Sequence, residues 1–315
     1  MKNIRFVTLG IIFIIISCKD TTIEPNVAQY QNIDNVEIDD FSILNLDYNK
    51  RPYTMSSLAK PDQNPNPTDS NGIQVFIYNG KTYYHPLNLA QKMEWYLDSF
   101  YQTSDPLYLS WVLRYYYKLM DIGTVTDKDL YFTYPFDFDL HGYSDQTMIA
   151  PWLSGLTQGV VLKVLTRLYE FTGDKRYLED ATKVFNSFNR IANKDNPWIS
   201  MVDENNYYWI EEYPDNDAPN FTLNGFIFCV FGLYEYYQVT KDEYSEYLLK
   251  ASLTTIKHYA NAFRVKGEPS YYRLKHKVQN ERYHRIHIKQ FKGLYTITGD
   301  QFFADFADSL YHDFH

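Results

Sequence analysis

The chain is 315 residues long and 45% hydrophobic, a globular composition with enough apolar mass for one large domain or two small ones. Its formal charge of −9 at pH 7 excludes a uniformly basic surface built to hold a polyanion. Aromatic residues reach 18%, with 31 Tyr and 21 Phe, a surplus that serves either an aromatic-rich core or amphipathic surfaces that stack on sugar rings while donating hydrogen bonds.

The first segment reads as an export signal, residues 1–17. Lys2 and Arg5 precede an apolar run from Phe6 to Ile16 that is too short to span a bilayer comfortably, so cleavage is expected. Ile15-Ile16-Ser17-Cys18 is similar to a bacterial lipoprotein signal, in which Cys18 becomes the lipidated first residue of the mature chain. A membrane-anchored lipoprotein, periplasmic or on the cell surface, is therefore expected; a plain secretory signal with an incidental cysteine is the alternative. Losing Lys2 and Arg5 leaves the mature chain more acidic still. With Cys18 acylated, only Cys229 remains, so no intramolecular disulfide forms, and Cys229 reads as a small core residue.

Residues 18–72 lack sustained periodicity and end in a Pro-, Asn- and Asp-rich stretch, which reads as a flexible tether. The folded body is expected over 73–315. Ile73 to Tyr78 and Lys81 to Tyr84 flank Asn79-Gly80, whose tolerance of positive φ predicts a β-hairpin. From Pro86 the pattern turns helical, and one signature recurs: Thr103-Ser104-Asp105, Thr172-Gly173-Asp174, Thr240-Lys241-Asp242 and Thr298-Gly299-Asp300. Each is predicted to end one helix and start the next, with the aspartate as N-cap; Pro106 after Asp105 suits a first helical turn. The copies lie 69, 68 and 58 residues apart, room for a helix pair and its connection. Stacked helical hairpins can close towards a toroid or run on as a solenoid. The irregular period favours a mainly α chain, an incomplete α/α toroid of helical hairpins with a small N-terminal β-hairpin.

Three patches fall in connections, where functional side chains are usually mounted. The first opens with Pro151 and Trp152. Ser154 and Gln158 follow, one turn apart on one face; they either bond a ligand beside the Trp152 ring or pack a helix start. The second, Tyr207 to Pro214, places Glu211 and Glu212 among four aromatics. Alternation sends the two carboxylates to opposite faces, one to a cleft and one to solvent or a partner, and an aromatic surround raises a carboxyl pKa towards proton transfer. A structural salt bridge is the competing reading. In the third, Asn224 is either a cap or a ligand for a sugar hydroxyl.

A fourth patch, from Arg264 to Lys292, carries nine Lys or Arg against Glu268 and Glu281 in an otherwise acidic chain. Tyr271, Tyr272, Tyr283, His276, His284 and His287 are interleaved with the cations, so carboxylates or sulfates could be clamped while sugar faces stack. Nucleic acid could use the same chemistry, but an exported address argues against it. A solvated charge run would leave the aromatics unexplained. His284 and His287 lack the spacing or companions of a metal site. No P-loop, dinucleotide fingerprint or nucleophile-elbow serine is present, which leaves cofactor-free acid–base chemistry.

Trp209-Ile210-Glu211-Glu212-Tyr213-Pro214, Leu223-Asn224-Gly225-Phe226-Ile227-Phe228 and Tyr283-His284-Arg285-Ile286-His287-Ile288 together resemble the C-terminal helical domain of D-glucuronyl C5-epimerases. Pro151-Trp152-Leu153-Ser154 through Gln158-Gly159, and Tyr83-Tyr84-His85-Pro86 to Ala90-Gln91, extend that resemblance over residues 83–310 in the same order. It implies that the C5 proton beside a uronate carboxylate is removed on one face and replaced on the other, interconverting D-glucuronate and L-iduronate in an acidic polysaccharide. Carried over by motif, the acid–base residues are Glu212, Tyr213, Tyr272 and Tyr283. The developing dianion needs cations, which Arg273, Lys275 and Arg282 can supply. Trp152, Ser154, Gln158, Asn224, His284 and His287 complete the expected substrate contacts. Two departures stand out: the family's Tyr-Asp-Leu run is Tyr272-Arg273-Leu274 here, with a shorter spacer to Tyr283, and one hairpin replaces the β-rich domains of animal members. With the family comes a homodimer as an expectation. Polysaccharide lysis shares the same proton abstraction, and a non-catalytic glycan-binding surface lipoprotein is the reading from another class.

Overall fold

The computed structural model describes residues 25–26, 32–61, 65–126, 128–143, 146–192, 197–215 and 219–315. The expected export signal over residues 1–17 and Cys18 lie outside the described residues. Eight helices carry the fold: α1 (Pro86–Thr103), α2 (Pro106–Ile122), α3 (Gly155–Thr172), α4 (Lys175–Asn186), α5 (Leu223–Thr240), α6 (Glu243–Phe263), α7 (Glu281–Thr298) and α8 (Gln301–Asp313). They form four antiparallel hairpins. The odd-numbered helices are neighbours in the order α1, α3, α5, α7 and make an inner layer; each even-numbered helix backs its own partner. This is the expected incomplete α/α toroid.

The recurring Thr-x-Asp signature builds every hairpin corner in one way. Each threonine hydroxyl donates to the carbonyl four residues back, Ser99, Leu168, Tyr236 and Leu294 in turn, at 2.7–2.8 Å. The middle residue then adopts a left-handed conformation: Ser104, Gly173, Lys241 and Gly299 have φ of 56°, 68°, 51° and 70°. The aspartate that follows caps the next helix through a backbone N–H, from Leu107, Arg176, Ser245 and Phe302 respectively. The corner closes the orphan carbonyls of one helix and the orphan amides of the next within three residues.

Twelve short strands pair into six antiparallel ribbons among the described residues. β1 (Phe76–Tyr78) pairs with β2 (Lys81–Tyr83) as the predicted hairpin. Six strands lie between α2 and α3: β3 (Thr124–Val125) pairs with β4 (Leu130–Tyr131), β5 (Thr133–Tyr134) with β8 (Trp152–Leu153), and β6 (Phe138–Asp139) with β7 (Thr147–Met148). β9 (Ser200–Val202) pairs with β10 (Tyr208–Ile210), and β11 (Tyr271–Arg273) with β12 (Val278–Gln279). All but β3–β4 gather where α1, α3, α5 and α7 begin, so the N-terminal ends of the inner helices carry the site.

The expectation of a flexible tether over 18–72 does not hold for its described part. Residues 44–59 run from the end of α7 past the C-terminal parts of α5 and α3 to α1. The Leu44 N–H donates to the Ile297 carbonyl at 2.8 Å, the Tyr48 hydroxyl to Asp98 at 2.6 Å, and the Ala59 N–H to Ser99 Oγ at 2.8 Å. Arg51, 7% exposed, bridges Glu170 and Glu235. Single anchors rather than a repeating face hold this segment, which is why it shows no period. Beside it, between α1, α3 and α5, a cavity of about 280 Å³ is lined by Tyr53, Leu156, Phe228 and Phe231 and by the Lys163–Glu94 ion pair.

Candidate active site

The β9–β10 ribbon delivers both glutamates. The Trp209 indole donates to Asp203 at 2.9 Å and Thr255 Oγ1 on α6 donates to the Tyr208 carbonyl at 2.8 Å, pinning the ribbon against the core. The chain then leaves β10 between the starts of α3 and α5, where the Gly155 N–H donates to the Glu211 carbonyl at 3.0 Å. Glu211 and Glu212 diverge as alternation requires. Neither reaches solvent, however, since Glu211 is 0% and Glu212 3% exposed, which corrects the expectation that one of them faces outward.

Glu211 turns to the loop before α5 and accepts the backbone N–H groups of Asn220 (3.0 Å) and Phe221 (2.8 Å). Burial pushes its carboxyl up to about 8 against the opposing pull of those two donors. Through Asn220 it orders the rest of the site. The Asn220 side chain donates to the Tyr213 carbonyl at 2.8 Å and accepts from Arg273 Nη1 at 2.6 Å. Arg273 is fully buried, its guanidinium 5.6 Å from the Tyr143 ring centroid.

Glu212 turns to the first turn of α5. The N-cap of that helix, Thr222, makes no side-chain cap, and the Gly225 N–H bonds the Glu212 carboxyl instead. A carboxylate from another element thus caps α5, gaining from the positive end of the helix dipole. Gly225 is required: a Cβ there would run into the Glu212 side chain. Tyr272 donates its hydroxyl to Glu212 at 3.3 Å, and Tyr213 also hydrogen-bonds the carboxyl. Burial outweighs these bonds and raises Glu212 to about 7.

Tyrosines surround that carboxyl. Tyr272 on β11 and Tyr283 on α7 have ring centroids 4.3 Å apart. Tyr272 is 1% exposed, whereas Tyr283 is only half-buried. Burial and the Glu212 charge raise the Tyr283 phenol, while exposed Arg282 beside it pulls the other way. On the opposite flank Trp152 stacks on Tyr134 at 3.9 Å and lies 6.2 Å from Tyr213. Tyr134 went unnoticed in the sequence reading, yet burial and the nearby Glu212 charge raise its phenol, and its hydroxyl is 2.5 Å from Thr157 Oγ1. Its only sequence signal was membership of an aromatic run, Tyr131 to Phe138.

The remaining expected contacts divide. Lys275 pairs with Asp215 at 2.8 Å, at the mouth of the loop that Glu211 clamps. Asn224 is buried with Oδ1 lacking a hydrogen-bond partner, and Gln290 Nε2 donates to its backbone carbonyl at 2.8 Å. Ser154 is a cap, accepting from the Thr157 N–H at 3.4 Å. Gln158 is not a substrate ligand: fully buried, it accepts from the Phe132 N–H and donates to Leu130 and Ser187. His284 and His287 also lie in the interior. The Ser270 N–H donates to His284 Nδ1 at 2.9 Å, and Nε2 ties the Phe314 carbonyl at 2.8 Å, securing the end of α8. His287 meets Ser270 Oγ at 2.8 Å and is pushed down to about 3 by burial, so its ring is neutral. Spacing alone could not separate these inward positions from Tyr283 and Arg282 on the same helix.

The sequence profile of the family described as D-glucuronyl C5-epimerase C-terminus matches residues 128–311, more than half of the chain. The chain belongs to that family. It is 32% identical over 191 residues to an uncharacterized protein of Methanocaldococcus jannaschii, covering 59% of each, and 26% identical over 186 residues to the D-glucuronyl C5-epimerase of Caenorhabditis elegans, covering 52% of this chain and 29% of that protein. It therefore spans less than two thirds of either relative's length. A crystal structure of a sugar epimerase from a ruminal bacterium shares the fold, with a TM-score of 0.51 at 10% identity over 73% of this chain and 59% of that one.

Proposed function

From membership of the D-glucuronyl C5-epimerase family, we propose that this protein is a carbohydrate epimerase that inverts C5 of uronate residues in an acidic polysaccharide. One observation carries the reading: a fully enclosed glutamate at the family's motif position has its carboxyl raised to about 7 and is contacted by tyrosine hydroxyls. A carboxyl with that pKa exchanges protons readily near neutrality, where an ordinary glutamate is too weak a base.

In this reading Glu212, as carboxylate, takes the C5 proton. The C5–H electron pair passes into the adjoining carboxylate, which becomes an enolate dianion. The Tyr283 O–H then delivers a proton to the other face of C5, and the tyrosinate regains its proton from Glu212 or solvent. Tyr272, whose hydroxyl donates to Glu212, positions that carboxyl. Arg273 and Arg282 place positive charge beside the developing dianion. The buried Glu211–Asn220–Arg273 chain keeps that guanidinium in place. Cys18 extends the proposal to a membrane-anchored enzyme; loss of metabolic fatty-acid labelling in Cys18→Ser would support it, and unchanged labelling would contradict it.

Incubation with a panel of uronate polymers in deuterated water tests the activity. Deuterium at C5 with chain length kept is the expected result. Unsaturated, ultraviolet-absorbing ends would instead make the protein a lyase, and binding without exchange would leave a glycan-binding protein.

A further inference from the structure

A groove of about 630 Å³ runs between β1 and the exposed face of α1, outside the site described above. Its α1 wall is Asn88, Gln91, Lys92 and Trp95, positions that share one helical face, and its other wall includes Gln74 and Phe76. Trp95 is fixed in orientation because its indole donates to the Ser57 carbonyl at 3.0 Å. The Lys92 ammonium lies over that ring, 5.2 Å from its centroid. Gln74 is 8% exposed, and its side-chain Oε1 has no hydrogen-bond partner. A buried amide oxygen left in this way is a vacancy for a donor from outside the chain.

Amide groups in a row, a fixed indole and one ammonium suit a chain of hydroxyls with a carboxylate. The groove also adjoins the site. Phe76 forms its wall and at the same time packs on His85 at 5.1 Å and Phe136 at 5.4 Å, within the aromatic cluster that contains Trp152 and Tyr213. Phe76 thus joins the groove wall to the aromatic cluster that holds Tyr213, the neighbour of Glu212.

We propose that this groove is a remote subsite for the acidic polysaccharide: Lys92 holds the carboxylate of a uronate residue away from the reacting ring, while Gln74 and Gln91 take its hydroxyls. The inference rests on the epimerase reading for its ligand class. It makes the groove responsible for binding long chains and irrelevant to chemistry on short ones.

Heparosan polymer and a heparosan tetrasaccharide are the probes, with binding measured by calorimetry and turnover by C5 deuterium uptake. Lys92→Gln and Gln91→Ala change exposed or half-exposed positions, and thermal melting checks that both variants fold. Each is expected to weaken polymer binding about ten-fold and raise KM for the polymer with kcat unchanged, while tetrasaccharide binding stays as in the wild type. Equal effects on polymer and tetrasaccharide, no effect on either, or no polymer binding by the wild type would overturn the groove. Polymer binding that depends on Lys92 in a protein that exchanges no C5 hydrogen would sink the epimerase reading and leave the groove standing.

Discussion

Glu212 and Glu235 are both buried glutamates against inner helices, yet their carboxyls shift in opposite directions. Glu235, near the C-terminal end of α5, takes hydrogen bonds from two guanidiniums: Arg51 at 2.7 Å and Arg167, whose Nε lies 2.9 Å away, with Lys163 adding charge nearby. Those cations hold it below the ordinary glutamate value although burial pulls the other way. Glu212, at the opposite end of the same helix, has hydroxyls and one amide for partners and rises to about 7. Burial is common to both, so counter-charge decides. The neutralised end holds the hairpins and the N-terminal segment together; the uncompensated end is left able to move a proton.

The comparison breaks most visibly at Arg167. Fully buried, it reaches Asp98, Glu235 and the Tyr48 ring, so Arg167→Ala leaves carboxylates stranded and should cost about 3–5 kcal/mol of stability, measured by urea unfolding. A loss under 1 kcal/mol would mean that the network contributes little to the fold. At the other end the sign reverses. The Glu212 carboxyl is raised in the folded state, so its contribution to stability is present below the ordinary value of 4.5 and is lost as pH rises through about 7. Glu212→Gln should therefore be more stable than the wild type above pH 7, by up to about 3 kcal/mol, with the difference fading towards pH 4. Glu235→Gln should show the opposite preference. Identical pH–stability curves for the two substitutions would erase the distinction.

Smaller effects sharpen it. Tyr272→Phe removes a donor from Glu212, raising its pKa further, so the climb of rate with pH should move to higher pH and turnover at neutrality fall roughly ten-fold, for about 1 kcal/mol of stability. An unmoved profile would remove Tyr272 from the carboxyl's control. The smallest change lies just beyond the Glu235 end, at the C-cap of α5: Lys241 holds φ of 51° at a hairpin corner, where Lys241→Gly should stabilise by about 0.5–1 kcal/mol in thermal melts. Destabilisation there would show that its aliphatic stem matters more than backbone strain.

The hairpin corners were legible because their threonine, left-handed residue and aspartate act locally, within three positions. Glu212 and Tyr283, the proposed proton carriers, stood out through motif resemblance, and Arg273 through its place in a basic run. Gln158, His284 and His287 were misplaced because a hydrogen-bonding side chain on a helix reads the same whether it faces a cleft or a neighbouring helix. The strap over residues 44–59 escaped for a related reason: Tyr48 and Arg51 find partners more than forty residues away, and no local pattern announces such pairs. Tyr134 lay in an unremarkable aromatic stretch and gains its meaning only from the ribbon that sets it on Trp152.

Release of C5 hydrogen from a specifically C5-tritiated uronate polymer, followed from pH 5 to 9 in the wild type and in Glu212→Gln, tests the proton-transfer claim most directly. The wild-type rate should climb with pH through about 7, as Glu212 becomes a carboxylate, and the variant should lose 10²-fold to 10⁴-fold at every pH while remaining folded. A variant that releases tritium at the wild-type rate would contradict the assignment of Glu212 as the group that moves the proton.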